Sequence, residues 1–439
     1  MISEPSIAVG LVEDAAEVGI RLLDDYRDDR GTVFTPGDYR FSCRNGSIVC
    51  DRAPISEATF FRLTGTRAAS RFRLQITIGI DFHWQQRKEH TFSGALRLLK
   101  RPGERLTVIN DVPLEAYILS VSCSEMNAAS PEEFLKAHSI ISRSWLLAQL
   151  AAKENPVAAP GATGDAGEII RWYDRQSHAE FDVCADDHCQ RYQGTDMITT
   201  GEVARAVEST RGIILSFEGK PCDARFSKCC GGVTEDFRAA WSDDLHPYLV
   251  PVADAPDTRL PQPPLTDATA AHAFITAAPE AYCNCSDPAI LRRVLNNYDQ
   301  TTGDFYRWKV RLTHSEMAAL LLKKLSIDIG RPLALEPLER GLSGRITRLK
   351  IRGDAATVTI GKELEIRRAL SATHLYSSAF IVETEGDPKR PDTFVLRGAG
   401  WGHGVGLCQI GAAVMACRGI GYQDILRHYY PGSTIGRLY

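Results

Sequence analysis

The chain has 439 residues, 44% hydrophobic and 24% charged, with a net charge of −4 at pH 7. This is the balance of an ordinary globular protein; it gives no electrostatic reason to expect a nucleic-acid partner, and the length suits two domains or one domain with insertions. No apolar run approaches the ~18 residues of a membrane span, and 12 Cys are too sparse for a disulfide scaffold.

The N-terminal MISEPSIAVGLVEDAAEVGI carries neither a basic n-region nor an apolar h-region. It therefore reads either as cytosolic or as a mature chain whose leader has gone. Residues 1–104 are rich in short alternating runs, among them SIAVGLV, FRLQITIGI and HTFSGALRLL, and predict a β-rich N-terminal portion. At NDVPLEAYILSV the period changes: Leu114, Tyr117, Ile118 and Val121 share one helix face, and Pro113 suits a first helical position. SCSEMNAA then reads as a break between helices. Ser130, Pro131 and Glu133 form a capping-box pattern, predicting a helix with Phe134, Ala137, Ile141, Trp145 and Ala148 on one face, ending before Asn155-Pro156.

Residues 151–167 read as a loop. GIILSFEGKPCDARFS predicts a hairpin turning at Glu218-Gly219-Lys220, and APDTRLPQPP, residues 255–264, an excursion or linker. RWKVRLTHSEMAALLLKKL predicts a strand and then a helix capped by Thr313 and Glu316; ITRLKIRGDAATVTIG predicts a second hairpin. Near the C-terminus, one short helix stops at Gly419 and another runs from Tyr422 to Tyr429. Strands and helices mix without a βαβ rhythm, so the expected class is α+β, mainly antiparallel, with a helical region and an inserted or second smaller domain. The expected division is 1–104 and 105–439, with an insertion around 255–345.

Three constellations could carry chemistry. Glu125 sits in the predicted helical corner, either as a partly desolvated acid with a raised pKa or as a solvated surface residue. His178, Cys184, His188 and Cys189 are a complete tetrahedral zinc set, against which stands a Cys184–Cys189 disulfide or two free thiols. The third is GAGWGHGVGLCQIG, residues 398–411, with six glycines. It lacks the Walker spacing, and its alternating glycines predict an extended run with one bare face, suited to a ligand or to tight packing in the core.

These residues fall into blocks that resemble one known family. VPLEAYILSVSCSEMNAASPEEFLKAHSIISRSWLL resembles the SpoIID/LytB signature, in which a "V-P-SEM" stretch precedes a helix like "EALKAQAVAARTYAL". DHCQRYQG, FSKCCGGVTE, WSDDLHPYLVPVAD and SGRITRLKI continue the likeness. It ends with GAGWGHGVGLCQIGAAVMACRGIGYQDILRHYYPG, close to "GrGWGHGVGMSQwGA…YYPG". The blocks keep one order from about residue 105 to the C-terminus.

The resemblance implies a peptidoglycan lytic transglycosylase that cleaves the bond between N-acetylmuramic acid and N-acetylglucosamine to leave 1,6-anhydro ends. It maps the single catalytic acid/base onto Glu125 and one structural zinc per chain onto His178, Cys184, His188 and Cys189. Arg143, Gln190, Tyr192, Ser227, Trp401, His403 and Gln409 become candidate substrate contacts, with Arg143 holding the acid or a substrate oxygen, or else making only a surface salt bridge. The glycine stretch is expected to line the cleft. A cell-envelope location, glycan strands and a cell-wall amidase are the implied setting and partners.

Cys123 departs from the family's Pro, and Cys229, Cys230 and Cys408 from its Ser. Cys222, Cys229, Cys230, Cys283 and Cys285 leave a second metal and disulfides equally open. Two rival readings remain: a thiol hydrolase using Cys408 or Cys123 with His403 or His138, and a non-catalytic glycan-binding enhancer of an amidase.

Overall fold

A computed structural model describes residues 3–52, 60–66, 70–80, 85–154, 167–172, 178–257, 259–296, 299–300 and 303–439. The class is the expected α+β, with mostly antiparallel sheets. The chain divides into two compact units: residues 1–143, 176–214 and 436–439 form the first, and 144–175 with 215–435 the second. The chain returns to the first unit for the segment that carries the candidate metal ligands.

In the first unit one sheet runs Val183–Cys184, Ser6–Ala15, Arg105–Pro113, Ala95–Arg101, Phe60–Gly65, Tyr26–Asp28, Val33–Phe34. A second runs Ser47–Cys50, Gly37–Arg44, Glu17–Leu22, Arg71–Ile78, Gln86–Ser93. Alternation explains the strands: in Arg71–Ile78, Phe72, Leu74, Ile76 and Ile78 are all buried while the intervening residues are more exposed. Rings from both sheets meet in the core, with Phe41 5.9 Å from Phe61 and Tyr26 edge-on to Phe72.

The strand Arg105–Pro113 runs directly into the helix Leu114–Glu125. Pro113 caps that helix from outside it. The expected break at SCSEMNAA is corrected: residues through Glu125 are helical, because the serine hydroxyls find partners that do not compete with the turn. Ser124 Oγ donates back to Ser120 O at 2.8 Å, and Ser122 Oγ lies 3.2 Å from Ser139 Oγ of the next helix. That next helix is described over Glu132–Glu154. Its capping box does not close, since the buried Ser130 hydroxyl has no partner among the described residues. Most of the expected 151–167 loop lies outside the described residues.

The second unit carries a sheet ordered Glu168–Ile170, Thr357–Gly361, Ile346–Gly353, Pro332–Arg340, and another with Arg390–Ala399 between Arg307–Thr313 and Phe380–Asp387. Trp308, Met317, Leu321, Leu349, Ile360 and Phe394 belong to their shared core. Both predicted hairpins form. In the first, Glu218 and Gly219 adopt φ of 49° and 77° between the paired Phe217 and Lys220. The helix His314–Leu325 has the predicted Thr313–Glu316 capping box, and Gln409–Cys417 and Tyr422–Tyr429 are the expected terminal helices. Within 255–305, Ala268–Ala277 and Pro288–Val294 are helical. Among the described residues no helix is long and apolar enough to cross a membrane.

Replacing Thr313 with Ala removes the side-chain half of the box, the hydroxyl that accepts from Glu316 N–H, while the residue-313 amide keeps the Glu316 carboxylate, and should cost the second unit about 1 kcal/mol. A urea midpoint that does not move would show the cap to be idle.

Candidate functional site

Glu125 is the last residue of its helix and only 8% exposed. The segment 190–193 runs beside that helix end. Arg191 N–H donates to Glu125 Oε1 at 3.0 Å, and Gln193 N–H to Ser124 Oγ at 3.2 Å. Tyr192 between them is buried, with its ring stacked on Tyr117 at 5.2 Å and its hydroxyl donating to Asn110 Oδ1 at 2.7 Å. Gln190 is buried as well, accepting from Tyr117 Oη at 3.3 Å and donating to Ser142 O at 3.4 Å. Phe72, Phe92, Tyr192 and Tyr117 thus form an aromatic series from the sheet core to the helix bearing the acid. Burial pushes both tyrosine hydroxyls well above their ordinary pKa.

The same segment begins with the four candidate metal ligands. Val183–Cys184 pairs in parallel with Val9–Gly10, and only glycine fits at residue 10, where a Cβ would lie 2.6 Å from the Phe181 ring. Phe181 in turn stacks on His178 at 4.4 Å. Asp186 anchors the turn by accepting from Gly79 N–H at 2.7 Å and Ile80 N–H at 3.0 Å; burial, then the neighbouring Asp187, push its carboxyl up to about 6.

The ligand atoms of His178, Cys184, His188 and Cys189 all lie within 4.8 Å of one another. Cys189 Sγ is 3.6 Å from His178 Nε2 and 3.5 Å from His188 Nδ1, and Cys184 Sγ is 3.9 Å from His188 Nδ1. Tetrahedral zinc, with Zn–S about 2.3 Å and Zn–N about 2.0–2.1 Å, sets sulfur and nitrogen about 3.6 Å apart, so the set fits the ion. None of the 12 cysteines is in a disulfide, and the Cys184–Cys189 disulfide alternative is not formed.

Arg143 pairs with Glu115. It is fully buried, with Nε and Nη2 on the Glu115 carboxylate at 2.9 and 2.6 Å and Nη1 on Ile213 O at 2.8 Å. Four of its five donors, counting a 3.4 Å bond to Ser139 O, serve the fold rather than a substrate. Burial acts to raise the Glu115 carboxyl, but Arg143, Tyr439 and the Gly212 N–H together hold it below the usual range. Sequence reasoning missed Glu115; the only signal was an acidic residue in a first helical turn.

In the second unit the glycine stretch is not the expected extended run. The strand ends at Ala399, and Gly400, Gly402, Gly404 and Gly406 all have positive φ, between 72° and 98°. What they approach is their own protein. A Cβ at 404 would lie 2.4 Å from the Arg345 guanidinium carbon, and one at 406 only 2.0 Å from Arg225 O. Arg345 is fully buried and donates to Cys230 O at 3.2 Å and Gly402 O at 3.1 Å.

Trp401 is half-buried, 4.7 Å from the Phe305 ring and 4.8 Å from that of Tyr376. His403, also half-buried, accepts from Val405 N–H at Nδ1 at 3.0 Å and meets Trp241 edge-on at 5.1 Å. Burial, then Arg225, Arg345 and Arg367, hold its pKa well below the ordinary value, so the ring is a neutral hydrogen-bonding group. Ser227 pairs with Cys408 on a short parallel ladder, and Gln409 opens the following helix; both are buried.

The thiol-hydrolase reading loses its parts here. Cys123 is buried with its pKa pushed up to about 12, His138 is fully buried on Ser142, and Cys408 is fully buried with its sulfur accepting from Cys230 N–H.

A family model described as Stage II sporulation protein, SpoIID, matches residues 102–217. A second, a domain of unknown function (DUF8618), matches 235–406. "Stage II sporulation protein D" of Bacillus subtilis (strain 168) is 26% identical over 74% of this chain and 75% of its own length. The protein of the same name from Bacillus amyloliquefaciens matches equally, at 26% over 74% and 75%. "Amidase enhancer" of Bacillus subtilis (strain 168) is 26% identical over 53% of this chain and 32% of itself. The SpoIID match spans Glu125 and the four metal-set residues.

Removing one partner of a buried ion pair strands the other, so Arg143→Ala should destabilise the first unit by about 3–5 kcal/mol by denaturant unfolding, whereas a surface pair would give under about 1. Because the folded pKa of Glu115 is depressed, its contribution is complete above the ordinary carboxylate pKa and is lost as pH falls through the lower folded value. Glu115→Gln should therefore flatten the acid limb of a stability–pH profile. Gly404→Ala combines backbone strain with a clash and should cost about 2 kcal/mol or more. Gly419→Ala, with φ of 82° but nothing within 4 Å, should cost clearly less.

Proposed function

We propose, from the premise that this chain is a SpoIID/LytB-family protein, that it cuts peptidoglycan glycan strands as a lytic transglycosylase with Glu125 as its single acid and base. The observation that carries this reading is the setting of Glu125: a mostly buried carboxyl, at the end of a helix, aimed by a backbone amide from the metal-set segment.

Ordinary glycosidases need two carboxyl groups. Here one would serve twice. Glu125 gives its proton to the oxygen linking N-acetylmuramic acid to N-acetylglucosamine as the C1–O bond breaks. The resulting carboxylate then takes the proton of the C6 hydroxyl as that oxygen bonds to C1, closing a 1,6-anhydro ring. The nucleophile is tethered to the reacting sugar, which supplies the proximity advantage.

His178, Cys184, His188 and Cys189 would hold zinc, whose charge and ligation fix the turn leading to Arg191; the ion has no part in the proton transfers. Gln190 and Tyr192 act as positioning residues behind that segment. In the second unit Trp401 and His403 are the groups exposed enough to touch a glycan, with Ser227 and Gln409 packed behind them. The setting proposed is extracytoplasmic, at the cell wall.

The amidase-enhancer relative supports a second reading, in which the protein binds glycan and stimulates a cell-wall amidase without cutting. Incubation with purified strands, intact and stripped of stem peptides, followed by mass spectrometry of the ends, separates the two. Anhydro ends, reduced about 100-fold or more in Glu125→Gln, are the expected result. Free reducing ends would mean hydrolysis, and binding without cleavage would leave the enhancer.

A further inference from the structure

The second unit holds another set of convergent ligands, built from four distant segments. Cys230 follows the strand Phe226–Ser227, Asp254 lies in the loop beyond, Cys283 follows the helix Ala268–Ala277, and Cys408 caps the helix Gln409–Cys417. Their ligand atoms lie within 4.8 Å of one another, and all four residues are buried, at 2%, 0%, 2% and 0% exposure. The sulfurs of Cys230 and Cys283 are 3.7 Å apart. Two thiolates on one tetrahedral zinc would be about 3.8 Å apart. The gap has room for one ion, not for a cluster of several metal atoms.

The surroundings orient the four ligand groups toward one another. Cys230 N–H donates to Cys408 Sγ at 3.2 Å, and Gly232 N–H to Cys230 Sγ at 3.4 Å, which fixes the two sulfurs in place. Cys408 also sits at a helix N-terminus, where the dipole favours a negative sulfur. Asp254 accepts from Cys283 N–H at 2.8 Å and from the Tyr429 hydroxyl at 2.5 Å, which orients the carboxylate. Both of these donors are neutral groups. A fully buried carboxylate without a counter-charge is costly, and a cation between the four ligands would supply it. Space is kept for this arrangement: a Cβ at residue 411 would lie 2.4 Å from Asp254 Oδ1 and 2.5 Å from Tyr429 Oη.

We propose that Cys230, Asp254, Cys283 and Cys408 form a second, closed zinc site that ties these four segments of the second unit together. The donor set suits zinc, a borderline-soft ion taking both thiolate and carboxylate. With four protein ligands and no exposure, the site is structural.

Elemental analysis of the purified holoprotein, with X-ray absorption at the zinc edge, tests this. The expected result is about two zinc per chain, with more than two sulfur ligands per zinc on average. Cys184→Ser/Cys189→Ser should retain one zinc in a sulfur-rich shell, and Cys283→Ser/Cys408→Ser should retain one with two sulfurs and two nitrogens. The wild-type measurement stands even if a variant fails to fold. One zinc per chain, two zinc with no more than two sulfurs each, a Cys230–Cys283 disulfide in the unreduced peptide map, or iron in place of zinc would each overturn the proposal.

Discussion

The chemistry proposed for the first unit depends on two backbone amides. Arg191 N–H holds the Glu125 carboxylate, and Gln193 N–H holds the adjacent Ser124 hydroxyl, so the end of one helix and a returning segment are fixed against each other. A carboxyl that must give and retake a proton within one reaction needs a fixed position more than a second partner acid. The bonds are short-range, but their geometry is set further off. Upstream lie the Cys/His set and the Asp186 anchor; behind lies the ring stack of Tyr192 on Tyr117. The Arg143–Glu115 pair fastens the start of the first helix to the middle of the second, with Tyr439 and Gly212 completing the carboxylate's shell.

The second unit solves a different problem, that of packing polar backbone tightly without stranding it. Arg345 and Glu235 are both fully buried and share Ser343: its hydroxyl donates to Glu235 Oε2 at 2.6 Å and lies 2.9 Å from Arg345 Nη1. Arg345 then collects the carbonyls of Cys230 and Gly402, binding the glycine segment to the cysteine-bearing loop. The alternating glycines are thus explained by what lies over them, an arginine and neighbouring main chain. They also bring Trp401 into an isolated bridge with Cys229, next to the proposed second zinc ligands.

The parts of this architecture that were legible in the sequence are those decided locally. The Thr313–Glu316 cap, the Glu218-Gly219 turn and the terminal helices each follow from residues within a few positions of one another, and each formed. The break expected at SCSEMNAA comes only at Met126, because Ser122 and Ser124 are satisfied within the helix by Ser139 and Ser120, the first of these on another helix. Arg143 could not be paired from sequence, since its carboxylate lies 28 positions away on a different helix. The glycines gave away close approach but not its object, and a period-two pattern was mistaken for a strand when positive φ was its cause. The Cys/His set stood out because its four members fall within 12 consecutive residues. The second set did not, with Cys230 and Cys408 separated by 178 positions and Asp254 carrying no local signal.

The most direct test of the central constraint is amide hydrogen exchange at Arg191 and Gln193, followed with zinc bound and after chelation. The account predicts slow exchange at both amides in the metal-loaded protein and a marked acceleration on zinc removal, with the strands of the sheet core unchanged. Equal protection in both states would show that the turn holds the acid without the ion, and would contradict it.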